Sequence, residues 1–411
     1  MRILFLAHRI PYPPNKGEKI RAFHELRFLA ANHSIDLFCF ADDRAEAEEQ
    51  WNLRSYCRRI YVETRSPFLA KLRMARSFLK GEPLSNGFFY SPRFESEVRR
   101  ALACEDYDVI LVYCSSMAQY IPARSPAPVV VDFVDVDSAK WAQYVRLSSP
   151  PLSWLYAREA RSLARAEQSI ARSAAVAIVT TDHEATELRA PGCTVETVGN
   201  GVAPAPISLG NDLPKELRSL QPYVLFVGQM DYRPNIDAVS WFAKEMLPLV
   251  RAKCPTVKFV IAGRHPSTAV QQLAQLPGVV VAGAIPEVHP YLEGAAAIVA
   301  PFRIAQGIQN KILEALAARK PVVSTRKPAE AIGAKHGETL LIADTPAEFA
   351  SAVVGLLEDP NLAQRFAGGP EFVRQNFDWQ VNLRRLEKLL EAAVHHAIVR
   401  SPEESARVET Q

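Results

Sequence analysis

Asn310, Lys311 and Glu314 lie within about one helical turn of each other, just after Gln306, Gly307 and Gln309. A small apolar run at 298–300, closed by Pro301, reads as a buried strand leading into them. Ile312, Leu313 and Leu316 then repeat at helical spacing behind Asn310, a good N-cap, and 321–325 return as the next strand. A helix start presents unpaired N–H groups and the positive end of a dipole, so it attracts anions, and Lys311 strengthens the attraction. Glu314, one turn beyond Asn310 on the same face, can accept both hydroxyls of a ribose. Gln306-Gly307 lets the loop bend and a ligand approach the backbone. Together they can hold a nucleoside diphosphate, phosphates at the helix mouth and ribose at Glu314. The plainer alternative is a strand–helix–strand unit with a solvated lysine and glutamate.

Composition bounds the reading. A chain of 411 residues exceeds one ordinary core and implies two domains. Hydrophobic content of 48% and charged content of 23% are those of a globular protein. A net charge of +3 gives no dense basic footprint, so nucleic acid is not an expected partner. The six cysteines show no zinc or redox spacing and read as reduced thiols of a cytosolic protein. Residues 1–7 are too short for a signal-peptide core, and no apolar stretch reaches the ~18 residues of a spanning helix. No cofactor is expected.

The N-terminal half opens as strand (3–7), loop, and helix from about 17 to 31, the opening of a doubly wound domain. Gly17 at that helix mouth can approach a phosphate or sugar; a routine glycine in a proline-stiffened loop is the alternative. Strands follow at 35–40, 107–113, 129–133 and 176–180. Asp135, just past the fourth of the half's five strands, is the candidate catalytic or acceptor-orienting group, with a turn or N-cap aspartate as the equal alternative. Asp135-Val-Asp137 also has the form of a metal-binding pair, yet Lys311 and its helix mouth neutralise charge without an ion, so no metal is assigned. A helix from Ser66 to about Lys80 carries an apolar stripe, Phe68, Leu72, Ala75 and Leu79, beside basic Arg73, Arg76 and Lys80. Docking of the stripe on the protein is favoured over contact with an anionic membrane. Arg158, Arg161, Arg165 and Arg172 mark a solvated face on a long helix over 153–174, or less simply a contact for an acceptor lipid or partner.

In the C-terminal half the strand–helix rhythm restarts at 223–227, with a helix running on to about 252. Strands at 257–262 and 279–282 precede the central motif. Helices at 346–357 and 361–376 follow it, and a last amphipathic helix runs from Asp378-Trp379 to about 394, ahead of a polar, frayed tail from Ser401.

Asn310-Lys-Ile-Leu-Glu-Ala-Leu-Ala317 followed by Lys320-Pro-Val-Val323 resembles the donor-binding motif of family 4 retaining glycosyltransferases. In that family an acidic residue stands at each end of the motif. Glu314 matches the second, implied to bind ribose, whereas Gln306 occupies the first, implied to touch the donor sugar. The amide loses the charge but keeps a hydrogen-bonding group. Val198-Gly-Asn-Gly-Val202 resembles the family's turn before its linker, and Gly228-Gln-Met-Asp-Tyr-Arg-Pro-Asn235 a subgroup variant of its phosphate clamp. There the family's arginine is Gln229, its lysine falls near Asn235, and Arg233 stands between to carry the charge. The resemblance implies that Arg264 and the backbone around Ile285 hold the nucleobase.

The fold implied by this resemblance is the GT-B architecture, an α/β fold of two Rossmann-like doubly wound domains facing across a cleft. The expected divisions are an acceptor-binding domain (1–205), a linker (206–220), a nucleotide-sugar domain (221–376) and a C-terminal helix with tail crossing back to the first domain (377–411). The implied activity is metal-independent, configuration-retaining transfer of a sugar from a nucleoside diphosphate to a lipid-linked or oligosaccharide acceptor in bacterial exopolysaccharide synthesis. Lys311 and Arg233 would stabilise charge on the departing diphosphate, and the acceptor would enter across Gly17 and Asp135. The implied location is cytoplasmic or peripheral on the inner face of the cell membrane. A nucleotide-sugar epimerase and a non-catalytic sugar-nucleotide binder are the rival readings.

Overall fold

The computed structural model describes residues 1–203 and 213–408, with side chains to 399. Residues 206–212 of the expected linker lie outside the described residues. The chain divides into two compact units, 1–199 with 380–411, and 200–379.

The first unit is built on a seven-stranded sheet. Its strands are β1 (Arg2–Ala7), β2 (Ser34–Ala41), β3 (Arg59–Thr64), β4 (Val109–Tyr113), β5 (Val129–Asp132), β6 (Val176–Val179) and β7 (Val195–Thr197). They run parallel in the order β3-β2-β1-β4-β5-β6-β7. Continuous apolar runs such as Ile3–Ala7 are what a strand covered on both faces requires, and all five residues are fully buried. On one face Leu4, Leu6, Phe38 and Phe40 meet Phe94, Val98 and Ala101 of helix Pro92–Cys104, with Phe40 and Phe94 stacked at 4.3 Å. Helix Gly17–Leu29 follows β1, and helix Leu152–Ser173 precedes β6.

The second unit holds a six-stranded sheet. Its strands are β8 (Tyr223–Val227), β9 (Lys258–Ala262), β10 (Val279–Gly283), β11 (Ala297–Ala300), β12 (Val322–Ser324) and β13 (Leu341–Ile342), all parallel in the order β10-β9-β8-β11-β12-β13. The order reverses between β8 and β11, so the loops leaving their carboxyl ends diverge and open a crevice there. In the first unit the reversal falls between β1 and β4.

Several expectations are corrected. The helix at 17–31 ends at Leu29. The single helix expected up to 252 is three pieces, Arg233–Trp241, a π-helical turn at Phe242–Met246, and Leu247–Lys253. The 361–376 helix is likewise broken into Pro360–Gln364, a 3-10 turn at Arg365–Gly368, and Gly369–Asn376. The last helix spans Trp379–Val408, through the tail expected to fray, and buries Leu383, Leu386, Leu390 and Ala393. Helix Pro67–Leu79 departs furthest: its apolar stripe faces solvent, and Ala70 and Ser77 are its buried residues.

Candidate functional site

The second unit's crevice is assembled from three strand ends. Chain leaving β8 passes Gly228 and enters helix Arg233–Trp241, which Pro234 helps to start at its first turn. Chain leaving β11 runs through a loop to helix Asn310–Ala317, and chain leaving β9 turns at Gly263. Ile312, Leu313, Ala315 and Leu316 pin that helix to the core, which fixes where its first turn points. Its N-cap is Gln309, without a side-chain cap bond, so Asn310 is the first helical residue rather than the cap. The side chain of Asn310 is instead held through its Oδ1, which accepts from Asn200 Nδ2 at 3.2 Å. Gly307 has φ +61°, a left-handed turn that glycine adopts without strain.

Lys311 is the centre of the site. Its Nζ donates to Asn235 Oδ1 at 2.7 Å and sits 4.3 Å over the Phe226 ring and 4.8 Å over Phe302. The amide is locked in its turn, because Asn235 Nδ2 donates to the Gln229 carbonyl at 2.8 Å. Burial pushes the Lys311 ammonium down from 10.5 to about 7, against the pull of Glu314. Burial pushes the Glu314 carboxyl up, with Lys311 opposing. A diphosphate brought against this ammonium supplies the counter-charge that burial disfavours, and so favours the charged form of Lys311.

Glycine makes room at this point. A Cβ at Gly228 would lie 2.8 Å from both Asn235 Nδ2 and Lys311 Nζ. A Cβ at Gly263, whose φ is +156°, would fall 1.6 Å from the Gly228 carbonyl oxygen. The two loops touch backbone to backbone, so these positions admit no side chain without displacement.

Of the sequence candidates, the structure brings together Gly228, Asn235, Lys311 and Glu314, and places Gln306, Gly307, Gln309 and Asn310 along the loop into the helix. Gln306 is buried, its Oε1 accepting from Lys327 Nζ at 3.1 Å, and its carbonyl accepts from Gln309 Nε2 at 3.1 Å. Arg233 is half-buried at the first position of its helix, Arg264 is exposed after Gly263, and Ile285 packs partly against the core beyond β10. Phe226, Phe302, Asn200 and Lys327 were not singled out from sequence. The first two look like plain core aromatics; Asn200 lay in a turn already noted, and Lys327 sits just past β12, an available signal.

The first unit carries the other candidates. Gly17 is exposed, with nothing within 4 Å of an added Cβ, so no protein atom demands glycine there. Asp135 follows Val134, whose φ of +66° is unusual for a β-branched residue and marks local strain. Helix Asp137–Arg146 is capped by Val136, so Asp135 is not its N-cap. Burial, then Glu184 and Asp137, raise the Asp135 carboxyl well above the usual range, against Lys140 and Arg21. Asp137 is itself ion-paired with Lys140. Beneath them, fully buried Arg21 donates to Asp132 through Nε at 2.9 Å, pairs with Glu25 at 3.0 Å and reaches the Val198 carbonyl at 2.9 Å. That network fixes the end of β5, from which Asp135 departs.

Two family models match the chain: "Glycosyl transferase 4-like domain" over residues 21–201 and "Glycosyl transferases group 1" over 221–359. A Klebsiella pneumoniae protein from the cps region, described as an uncharacterized 44.6 kDa protein, is 23% identical over 405 residues, covering 92% of this chain and 96% of its own. Sucrose-phosphate synthase from Thermosynechococcus elongatus superposes with a TM-score of 0.72 at 18% identity, covering 95% of this chain and 98% of that one. HepE of Anabaena, solved with UDP-glucose, gives 0.66 at 16% identity, covering 95% and 100%. Both halves of the sequence meet their models on two parallel-sheet Rossmann-like units, and the chain belongs to the family 4 glycosyltransferases of the GT-B fold.

Proposed function

We propose that the protein transfers a sugar from a nucleoside diphosphate to a lipid-linked glycan in bacterial exopolysaccharide synthesis, with retention of configuration and without a metal. The observation that carries this reading is the Lys311 ammonium, joined to Asn235 across the gap that Gly228 leaves at the β8–β11 reversal. A diphosphate seated there meets Lys311, the first N–H groups of helix Asn310–Ala317 and Arg233, while Glu314 takes the ribose hydroxyls. Gly228, Arg264 and the backbone at Ile285 line the nucleotide's path, and Gln306, Gly307 and Gln309 face the sugar. In the reaction the bond from sugar C1 to the diphosphate oxygen breaks and a bond from the acceptor oxygen to C1 forms. The acceptor proton passes to a phosphate oxygen. Lys311 and Arg233 lower the barrier by stabilising charge on the leaving diphosphate. Gly17 and Asp135 are assigned to the acceptor side.

The comparisons lend partial support: HepE is solved with UDP-glucose, which makes uridine nucleotides the first donors to test, and the Klebsiella relative lies in a cps region. Among the described residues no helix is long and apolar enough to cross a membrane, so a lipid-linked acceptor would be met from the membrane surface. The test is a thermal-shift and calorimetric panel of nucleoside diphosphates and their sugars against the wild type, Lys311→Ala and Glu314→Ala. Each variant should weaken binding by roughly tenfold or more, the scale of a lost charge-assisted hydrogen bond. Unchanged donor affinity in both variants would remove the site assignment. Epimer release without acceptor would instead point to an epimerase.

A further inference from the structure

We propose that one face of the first unit, formed by helix Pro67–Leu79 and the segment leading into helix Leu152–Ser173, is a docking surface for an anionic lipid bilayer. The inference deepens the lipid-linked acceptor reading and rests on it only for its purpose.

Helix Pro67–Leu79 is the starting point. At ~100° per residue, Phe68, Leu72, Ala75 and Leu79 form one stripe, and Ala70 and Ser77 lie on the opposite side. Ala70 and Ser77 are the buried ones; Phe68 is 70% and Leu79 85% exposed. The helix is therefore mounted with its apolar stripe outward, the reverse of what packing against a core demands. Lys71 flanks the stripe on one side and Arg76 and Lys80 on the other, all three exposed. Between Glu63 and Glu82 the sequence has no acidic residue and five basic ones, Arg65, Lys71, Arg73, Arg76 and Lys80.

A second segment continues the pattern. From Ser138 to Arg158 there is again no acidic residue. Leu152 is 52% and Trp154 70% exposed at the start of helix Leu152–Ser173. The two pieces are tied together: Arg158 donates to the Ser77 and Phe78 carbonyls at 3.3 and 2.9 Å, and its guanidinium lies 4.7 Å over the Phe78 ring. Those carbonyls belong to the last turn of the first helix, where they also accept from the Glu82 and Gly81 amides at 2.9 and 3.1 Å. Arg158 thus holds the two exposed apolar pieces side by side.

Exposed aromatic and leucine side chains flanked by cations, on stretches that carry no acid of their own and with Glu82 paired to Lys80 at the edge, match the headgroup boundary of an anionic leaflet in both polarity and charge. A neutral protein partner would not call for the missing acids, and a second copy of this chain would set like charges against each other.

The experiment is flotation of the full chain with phosphatidylcholine vesicles, with and without phosphatidylglycerol, in the absence of donor and acceptor. Binding is expected only with phosphatidylglycerol, and it should weaken with added salt. Replacing Lys71, Arg76 and Lys80 by Gln should lower partitioning on the order of a hundredfold, about fivefold per cation. Leu79→Ser and Trp154→Ser should each lower it by roughly tenfold. Melting temperature should hold in all of them, because these side chains already stand in solvent. The proposal is overturned if neither vesicle binds the wild type, if binding survives both sets of substitutions, or if the substitutions instead abolish a dimer. Lys311→Ala retains vesicle binding whether or not the donor site is correctly assigned, so the two readings fail separately.

Discussion

Donor binding should depend on pH through Lys311. Its ammonium titrates at about 7 in the free protein, because burial disfavours the charge. A diphosphate placed against Nζ favours the charged form and carries the titration to higher pH. Above pH 7 the free protein must therefore take up a proton in order to bind, and apparent affinity falls with a factor of 1 + 10^(pH − 7) while the complex stays protonated. Between pH 7 and 8.5 that factor rises about sixteenfold, on a titration midpoint of about 7. The ligand should be a nucleotide sugar, whose esterified diphosphate does not titrate in this window. Calorimetry at pH 8.5 in buffers of different protonation enthalpy should report uptake of close to one proton. Lys311→Met should bind more weakly at every pH and lose the slope. The stability sign runs the other way. A lowered lysine titration means that the unfolded chain binds more protons between about 7 and 10.5, so the free wild type gains stability as pH rises through that window. Affinity that is flat from pH 7 to 8.5, no proton uptake, or a slope that persists in Lys311→Met would refute the reasoning.

Two glycines should separate site from scaffold. Gly228→Ala sets its Cβ against the ends of the Asn235 and Lys311 side chains rather than against backbone, so the melting temperature should fall less than in Gly263→Ala while donor affinity falls by roughly tenfold or more. Gly263→Ala drives a Cβ into a backbone carbonyl, and thermal denaturation should show a loss of several kcal/mol; a donor-binding defect in Gly228→Ala no larger than its stability defect would contradict the first. Burial raises the Asp135 carboxyl well above its usual range and so favours the neutral form, which an amide mimics; Asp135→Asn should keep activity within about tenfold, while Asp135→Ala, lacking any hydrogen-bonding group, loses more. Turnover equally poor in both would mean that the ionised carboxylate is the working form.

Much of the fold was legible in the sequence where local rules and tertiary packing agree. The continuous apolar strands of both sheets and the Asn310–Ala317 helix follow period, and the Ser66-Pro67 helix start follows capping chemistry. Short strands such as β7 and β13 give too few residues for a period to emerge, and β3, with Arg59 and Glu63 among its residues, reads as polar. In the site, Lys311 and Glu314 stood out because charge at a helix start is visible along the chain. Phe226, Phe302 and Gly263 did not, because what they contribute is proximity across strands far apart in sequence. The outward mounting of helix Pro67–Leu79 was misread for a related reason: periodicity shows that a helix is two-faced, and only the packing of Ala70 and Ser77 shows which face turns in.

The division of the chain bears on how the protein is made. The first unit takes residues 1–199 and then reclaims 380–411, whose leucines at 383, 386 and 390 are buried in the finished molecule. At the second unit's margins the Val202 amide donates to the Phe377 carbonyl at 3.0 Å, and Gly201 is pressed against the Trp379 ring, so its entrance and exit are laced together. During synthesis the N-terminal sheet emerges well before the helix that carries those leucines, and the two must associate after the second unit has been made. The inserted unit has every segment it needs by then.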